Sequence, residues 1–235
     1  MKRIIFPLDF SDIEEAEYFI EILKPEVDIF KIGLELFYKA GIKWVEKILK
    51  THDIKIFLDL KLHDIPNTVY RAVKNLLYLN PTFITVHLDE YEKFYKFVVE
   101  PTGFKGFLAV SFLTSLNEKN LRDLTENRNI TIIDFVLKKA DYAFKSHCAG
   151  IVCSAYEAKF IKEKFGNSLK IITPGIRFKE SSISNDDQER IVTPTEAIEN
   201  GADYLVIGRP IRTAPNPLSL CKQINKLIVS CYVRN

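Results

Sequence analysis

Residues 54–68 read Ile-Lys-Ile-Phe-Leu-Asp-Leu-Lys-Leu-His-Asp-Ile-Pro-Asn-Thr. The first five are an apolar run typical of a buried strand, along which side chains alternate between two faces. Asp59 and Lys61 therefore share one face, and Asp64 follows just past the strand. Pro66 disfavours helix at the residue before it and can itself open a helix. The stretch predicts a strand, a charged cluster at its end, and then a helix.

Length, composition and charge indicate one enzyme-sized domain, residues 1–235. The chain is 47% hydrophobic and carries a net charge of +2 with acids and bases interleaved, so we expect no nucleic-acid partner. No apolar stretch is long enough to span a bilayer and no signal peptide is evident, so we expect a cytoplasmic protein without a membrane partner. The cysteines lack metal-ligand spacing and are expected to be reduced thiols: Cys148, Cys153, Cys221 and Cys231.

Short apolar runs typical of strands recur eight times along the chain. They lie at residues 3–8, 28–34, 54–60, 83–88, 106–112, 150–154, 170–174 and 204–208. Segments with helical periodicity alternate with them, and the pattern predicts an α/β protein, a single (β/α)8 TIM barrel with its site at the carboxyl ends of the strands. A doubly wound open sheet is the alternative. It would more often show a glycine-rich turn after the first strand, which residues 8–11 lack.

The helical segments are predicted at residues 13–23, 36–51, 68–79, 91–99, 131–146, 155–164, 195–200 and 217–230. For the first of them, Ser11 is the expected N-cap, with Glu14 three residues on at the spacing of a capping box.

In a barrel, polar residues at strand ends should form one chemical set. The expected set is Asp9, Lys31, Asp59 and Lys61 from the first three strands, and Arg177 and Arg209 after the last two. Loops after strands seven and eight commonly bind phosphate, and both carry glycine with arginine, which supply close backbone amides and a bidentate fork. Structural ion pairs, buried or on the surface, are the alternative reading of these charges.

Taken together, these motifs resemble the orotidine 5′-phosphate decarboxylase family. The decapeptide at residues 59–68 looks like the signature of that family, and the resemblance extends over essentially the full chain, through residues 8–10, 30–37, 113–115, 173–177, 187–190 and 206–209. It implies decarboxylation of orotidine 5′-monophosphate to uridine 5′-monophosphate in de novo pyrimidine biosynthesis, without a metal or an organic cofactor.

The resemblance also implies residue roles, because the family uses a Lys-Asp-Lys-Asp array whose last member comes from the partner subunit of a homodimer. Carried over, the catalytic array is Lys31, Asp59, Lys61 and Asp64, and Ile65 and Thr68 would reach the neighbouring site with Asp64. The substrate-binding set is Asp9 and Lys31 on the ribose, Thr114 on the pyrimidine edge, and Arg177, Gln188, Gly208 and Arg209 on the phosphate, with Gln188 on a lid loop.

The implied chemistry suits a lysine. Loss of CO2 from C6 of orotidylate leaves a carbanion that the ring cannot delocalise, so the site must stabilise charge locally and then protonate it. An ammonium aimed at C6 does both. Lys61 is the candidate, because Asp59 and Asp64 on either side favour its charged form and also repel the departing carboxylate.

Three other functions stay open. A sugar-phosphate decarboxylase or aldolase of the same superfamily would use Mg²⁺ and an enediolate, although Pro66-Asn67-Thr68 argues against it. A Schiff-base aldolase would need a neutral Lys31 or Lys61, which adjacent carboxylates disfavour. A non-catalytic phosphate-binding protein would bind ligand without turnover.

Two segments depart from the family pattern. Residues 87–90, His-Leu-Asp-Glu, replace the His-Ala and glycines of many relatives, and we assign no function to His87. The lid loop at residues 178–187 is rich in serine and charge and slightly longer than usual, and Gln188 directly follows it. His63 should point with Asp59 and Lys61 by alternation, and is interpreted as a structural hydrogen-bonder.

Overall fold

The protein is a closed barrel of eight parallel strands. The computed structural model describes residues 2–113, 117–178 and 192–234. The strands pair in chain order, and the last closes onto the first, which confirms the predicted barrel over an open sheet. They are β1 Ile4–Pro7, β2 Ile29–Gly33, β3 Lys55–Leu62, β4 Phe83–Val86, β5 Phe107–Val110, β6 Gly150–Val152, β7 Lys170–Thr173 and β8 Tyr204–Val206.

Helices cover the outside of the barrel. They are α1 Ile13–Leu23, α2 Leu34–Thr51, α3 Pro66–Lys74, α4 Tyr91–Phe94, α5 Glu100–Thr102, α6 Glu118–Thr125, α7 Ile132–Lys145, α8 Ala155–Phe165, α9 Pro194–Glu199, α10 Arg209–Arg212 and α11 Pro217–Arg234. A 3₁₀ turn, Leu77–Leu79, follows α3, and a π-helical turn, Tyr95–Val99, joins α4 to α5. In the described ranges, no helix is both long and apolar enough to cross a membrane.

The start of α1 differs from the prediction. Asp12, not Ser11, is the N-cap, and its carboxylate accepts hydrogen bonds from the backbone N–H groups of Glu14 at 2.6 Å and Glu15 at 3.1 Å. The Ser11 hydroxyl instead donates to Glu35 at 2.6 Å, at the start of α2. A carboxylate is the stronger acceptor for amides at a helix N-terminus, so it takes the capping position.

The barrel interior is filled in layers. Its apolar layer consists of Ile5, Ile29, Phe57, Phe83, Leu108 and Ile172, one residue from each of six strands. Inward positions recur every second residue along a strand, so the next inward residues toward the carboxyl ends include Lys31, Asp59 and Thr85. The apolar layer therefore forms the floor on which the polar residues stand.

Strand β3 contains an irregularity at its carboxyl end. Leu58 pairs with Ile84 and Leu62 with Val86, so four residues of β3 advance against two of β4. Within this bulge Lys61 has a φ of +47°, in the left-handed region. For a residue with a Cβ that conformation costs about 1–2 kcal/mol, so neighbouring groups must hold it.

Candidate active site

A cavity of about 580 Å³ lies at the carboxyl ends of the strands, within the usual range for a small-molecule site. Seven residues predicted for the site line it: Asp9, Lys31, Asp59, Lys61, Arg177, Gly208 and Arg209. Barrel closure thus brings residues separated by as much as 200 positions to one cavity.

Lys31 is the buried centre of a charge array. Its side chain is only 11% exposed, and its Nζ lies 3.0 Å from Asp9 Oδ1 and 3.3 Å from Asp59 Oδ2. Burial acts to lower the pKa of Lys31, but attraction to Asp59 and Asp9 outweighs burial, so its pKa is raised. Lys31 is therefore a fixed cation at neutral pH.

Asp59 joins the two lysines. Its Oδ1 accepts hydrogen bonds from Lys61 Nζ and from the Thr85 hydroxyl, both at 2.9 Å, while its Oδ2 faces Lys31. Burial acts to raise the pKa of Asp59, but the two ammonium groups and these hydrogen bonds outweigh it, so its pKa is lowered. The result is an alternating series, Asp9, Lys31, Asp59 and Lys61, in which Lys61 is the terminal cation and is one-third exposed.

Gly33 leaves the space that this array occupies, because it has no side chain. It pairs with Asp59 across β2 and β3. A Cβ on Gly33 would lie 3.0 Å from Asp9 Oδ1 and 3.1 Å from Lys31 Nζ, closer than nearly all normal contacts. The sequence pattern assigned no role to Gly33, although its inward position two residues after Lys31 was the available signal.

Arg212 also lines the cavity and was not predicted. Its guanidinium carbon lies 4.4 Å from the centre of the Phe10 ring, and Nη2 pairs with Glu15 at 3.0 Å. Nη1 donates to the backbone carbonyl of Asp9 at 3.3 Å. Arg212 therefore connects the loop after β8 to the loop that carries Asp9. Its place one turn into α10 was not evident because that four-residue helix was itself not predicted.

The loops after β7 and β8 form another wall of the cavity, as expected of a barrel phosphate site. Gly175 has a φ of +79°, a conformation that favours glycine. A Cβ on Gly208 would lie 2.8 Å from Pro7 Cγ, so only glycine lets the end of β8 approach β1 this closely. Arg177 is buried, and its Nη1 donates to the Ile176 carbonyl at 2.9 Å.

Three other predicted residues are not brought to this cavity. Asp64, Ile65 and Thr68 are exposed and do not belong to its lining as far as the described residues define it. Asp64 Oδ1 accepts a hydrogen bond from the backbone N–H of Ile65 at 2.7 Å. Thr114 and Gln188 lie outside the described residues.

The atypical segment after β4 binds the end of β3. His63 Nε2 and Asp89 Oδ2 are 2.5 Å apart, in agreement with the interpretation of His63 as a hydrogen-bonder. The contact with His63 lowers the pKa of Asp89. Lys139 Nζ donates to the Leu88 carbonyl at 2.5 Å and lies 3.4 Å from Asp89. Alternation wrongly placed His63 with Asp59 and Lys61, because the bulge ends the regular strand.

Among the described side chains, no group of three or more His, Cys, Asp or Glu could hold a metal ion. A family model described as the orotidine 5′-phosphate decarboxylase / HUMPS family matches residues 2–224.

Individual relatives agree with the family match. Orotidine 5′-phosphate decarboxylase of Desulfosudis oleivorans is 40% identical, covering 96% of this chain and 94% of that protein. The enzyme of that name from Nitrosomonas eutropha is 42% identical, covering 97% of each. A crystal structure of orotidine 5′-phosphate decarboxylase from Lactobacillus acidophilus is 35% identical with a TM-score of 0.81, covering 97% of this chain and 99% of that one. On this evidence the chain belongs to the orotidine 5′-phosphate decarboxylase / HUMPS family.

Proposed function

We propose that this chain, acting as a single domain over residues 1–235, decarboxylates orotidine 5′-monophosphate to uridine 5′-monophosphate without a metal or an organic cofactor. The observation that carries the proposal is the alternating series Asp9, Lys31, Asp59 and Lys61 in one cavity with Arg177 and Arg209. A site with charges of both signs inside and two arginines in its wall suits an anionic nucleotide whose reaction develops negative charge.

In the proposed reaction the bond between C6 and the carboxylate breaks, and its electron pair stays on C6 as CO2 leaves. The Lys61 ammonium faces the developing carbanion and then transfers a proton from Nζ to C6, after which water reprotonates the amine. Asp59 holds Nζ at 2.9 Å, so the ammonium needs little reorganisation. The ionised Asp59 also repels the substrate carboxylate before it departs.

The remaining substrate contacts are proposed from the family resemblance, and the position of these residues in the cavity lining supports them. Asp9 and Lys31 hold the ribose hydroxyls, and Arg177, Gly208 and Arg209 bind the phosphate. Thr114 on the pyrimidine edge and Gln188 on the phosphate complete the proposal from the family resemblance. The phosphate site is remote from C6, so its binding energy serves to orient the pyrimidine over Lys61.

We further propose a homodimer in which Asp64, Ile65 and Thr68 complete the neighbouring site. Asp64 is exposed, and Ile65 beside it leaves 66% of its surface open. Leu34, at the start of α2 on the adjacent strand end, is 43% exposed. Both residues come shortly after strands that supply residues to the cavity, so a partner subunit that covered them would lie beside the site.

Mixed dimers test the shared site. Lys61→Ala and Asp64→Ala chains should each be nearly inactive, and mixing them should restore activity, because one of the two sites in a mixed dimer is then whole. Absence of any rescue would contradict the shared site.

The primary test is turnover of orotidine 5′-monophosphate, followed by its ultraviolet absorbance change with and without EDTA. We expect turnover that EDTA leaves unchanged and that falls by several orders of magnitude in Lys61→Ala. Lys55→Ala is the matched control, since Lys55 lies at the opposite end of the same strand and pairs with Asp28 at 2.9 Å. Absence of turnover by the wild type would reject the proposal, and Mg²⁺ with a keto-sugar phosphate would then be tested.

A further inference from the structure

We propose that Thr85 is a positioning residue of the active site, whose single hydroxyl fixes both the Asp59 carboxylate and the Lys61 backbone. The inference rests on the proposed function, for which it adds a residue that does not contact substrate. Thr85 is fully buried on β4. Its hydroxyl donates to Asp59 Oδ1 at 2.9 Å and accepts from the backbone N–H of Lys61 at 2.9 Å.

The bulge in β3 explains why a side chain is needed at this position. Regular pairing with β4 stops after Leu58 and resumes at Leu62. The N–H of Lys61 lies between these two points, and the Thr85 hydroxyl accepts the hydrogen bond that a strand carbonyl accepts in a regular sheet. Thr85 thereby holds Lys61 in its left-handed conformation, which sets the direction in which the Lys61 side chain leaves the strand.

The same hydroxyl determines how Asp59 divides its two oxygens. Oδ1 accepts from Thr85 and from Lys61 Nζ, which leaves Oδ2 facing Lys31 at 3.3 Å. The hydrogen bond from Thr85 also contributes to the lowered pKa of Asp59. Among the described residues, Thr85 does not belong to the cavity lining, so its effect reaches the substrate through Asp59 and Lys61.

Two substitutions separate the hydroxyl from the shape of the side chain. Thr85→Val keeps the branched shape and removes the hydroxyl, whereas Thr85→Ser keeps the hydroxyl and removes a methyl group. We expect Thr85→Val to lower kcat about 10- to 100-fold with KM changed less than about threefold, because the phosphate and ribose contacts remain. Thr85→Ser should retain kcat within about threefold of the wild type.

The pH profile supplies a readout that loss of packing would not give. Lys31 and Lys61 still face Asp59 in Thr85→Val, but one hydrogen bond to the carboxylate is gone, so its pKa rises. The acid limb of the kcat profile should therefore move to higher pH in Thr85→Val and stay in place in Thr85→Ser.

Binding of uridine 5′-monophosphate, measured by calorimetry, identifies folded variants. If Thr85→Val does not bind it, Thr85→Ala takes its place, since it removes the hydroxyl without placing a methyl group against Asp59, and the same outcomes apply. An active wild type with equal losses in the valine and serine variants, or with an unmoved acid limb, would overturn the role of Thr85. A wild type inactive on orotidine 5′-monophosphate would instead overturn the proposed function.

Discussion

Replacement of Gly33 by alanine tests the charge array without removing any charged group. Gly33 has a φ of −89°, which alanine adopts without strain, so the effect comes from the added Cβ. That Cβ would lie 3.0 Å from Asp9 Oδ1 and 3.1 Å from Lys31 Nζ, and these atoms would have to separate by a few tenths of an ångström to make room. Their 3.0 Å ion pair is the contact that the substitution disrupts.

The size of the effect follows from the exposure of the pair. A hydrogen bond between charged groups contributes about 1.5–3 kcal/mol, and the lower end applies here because the Asp9 side chain is 55% exposed and solvent screens it. We therefore expect Gly33→Ala to lower kcat/KM about tenfold. The melting temperature should change by only a few degrees, since alanine is a poorer N-cap for α2 than glycine but reduces the entropy of the unfolded chain.

A double-mutant cycle with Asp9→Ala provides the control. If Gly33→Ala acts through the Lys31–Asp9 pair, it should lower kcat/KM much less in the Asp9→Ala background than in the wild type. Steady-state decarboxylation and thermal melting of the four proteins decide the matter. Full activity of Gly33→Ala, or an undiminished loss once Asp9 is gone, would refute the role assigned to the glycine.

Three further predictions concern titration and reactivity. Folding lowers the pKa of Asp59, so its contribution to stability is present above the ordinary aspartate pKa and is lost as pH falls below that value. The free energy of unfolding in urea should therefore fall more between about pH 5 and about pH 3 for the wild type than for Asp59→Asn. Asp89→Asn should lower the free energy of unfolding by less than about 1 kcal/mol, because the ion pair of Asp89 with His63 is exposed. A larger loss would show that this pair anchors the turn after β3. Burial raises the pKa of Cys148 and of Cys221 to about 12, so neither should react with iodoacetamide at about pH 8 until the protein unfolds. Mass spectrometry that found either thiol labelled in the native protein would contradict this expectation.

The eight strands were predictable because each is a short apolar run whose side chains pack into the core. The run from Ile54 to Leu58 is an example: Phe57 enters the barrel floor, while Ile56 and Leu58 pack toward the helices. Short helices were harder to predict. The sequence of α6, Glu118–Thr125, buries Leu121 as its one fully enclosed side chain, so it carries little apolar periodicity.

Within the site, the sequence was sufficient to predict the residues that act through their own charged side chains. Asp9, Lys31, Asp59 and Lys61 could be chosen because charges at strand ends are unusual. Gly33 and Thr85 contribute only because strand pairing across β2, β3 and β4 places them beside the charged residues. The register between strands cannot be derived from the sequence of any single strand, so these two positions could not be predicted. Alternation also failed beyond Lys61, because a bulge changes the count of residues on one strand relative to its neighbour.

The order of charges in the array explains why its supporting residues are uncharged. Each interior member faces two opposite charges: Lys31 lies between Asp9 and Asp59, and Asp59 lies between Lys31 and Lys61. A further charged group beside them would leave one ion without a partner, at a cost of several kcal/mol in a buried site. Thr85 supplies a hydrogen bond without a charge, and Gly33 leaves space because it has no side chain. Lys61, at the end of the series within one subunit, keeps one side open, and in the proposed dimer this side would face both Asp64 of the partner subunit and the anionic substrate.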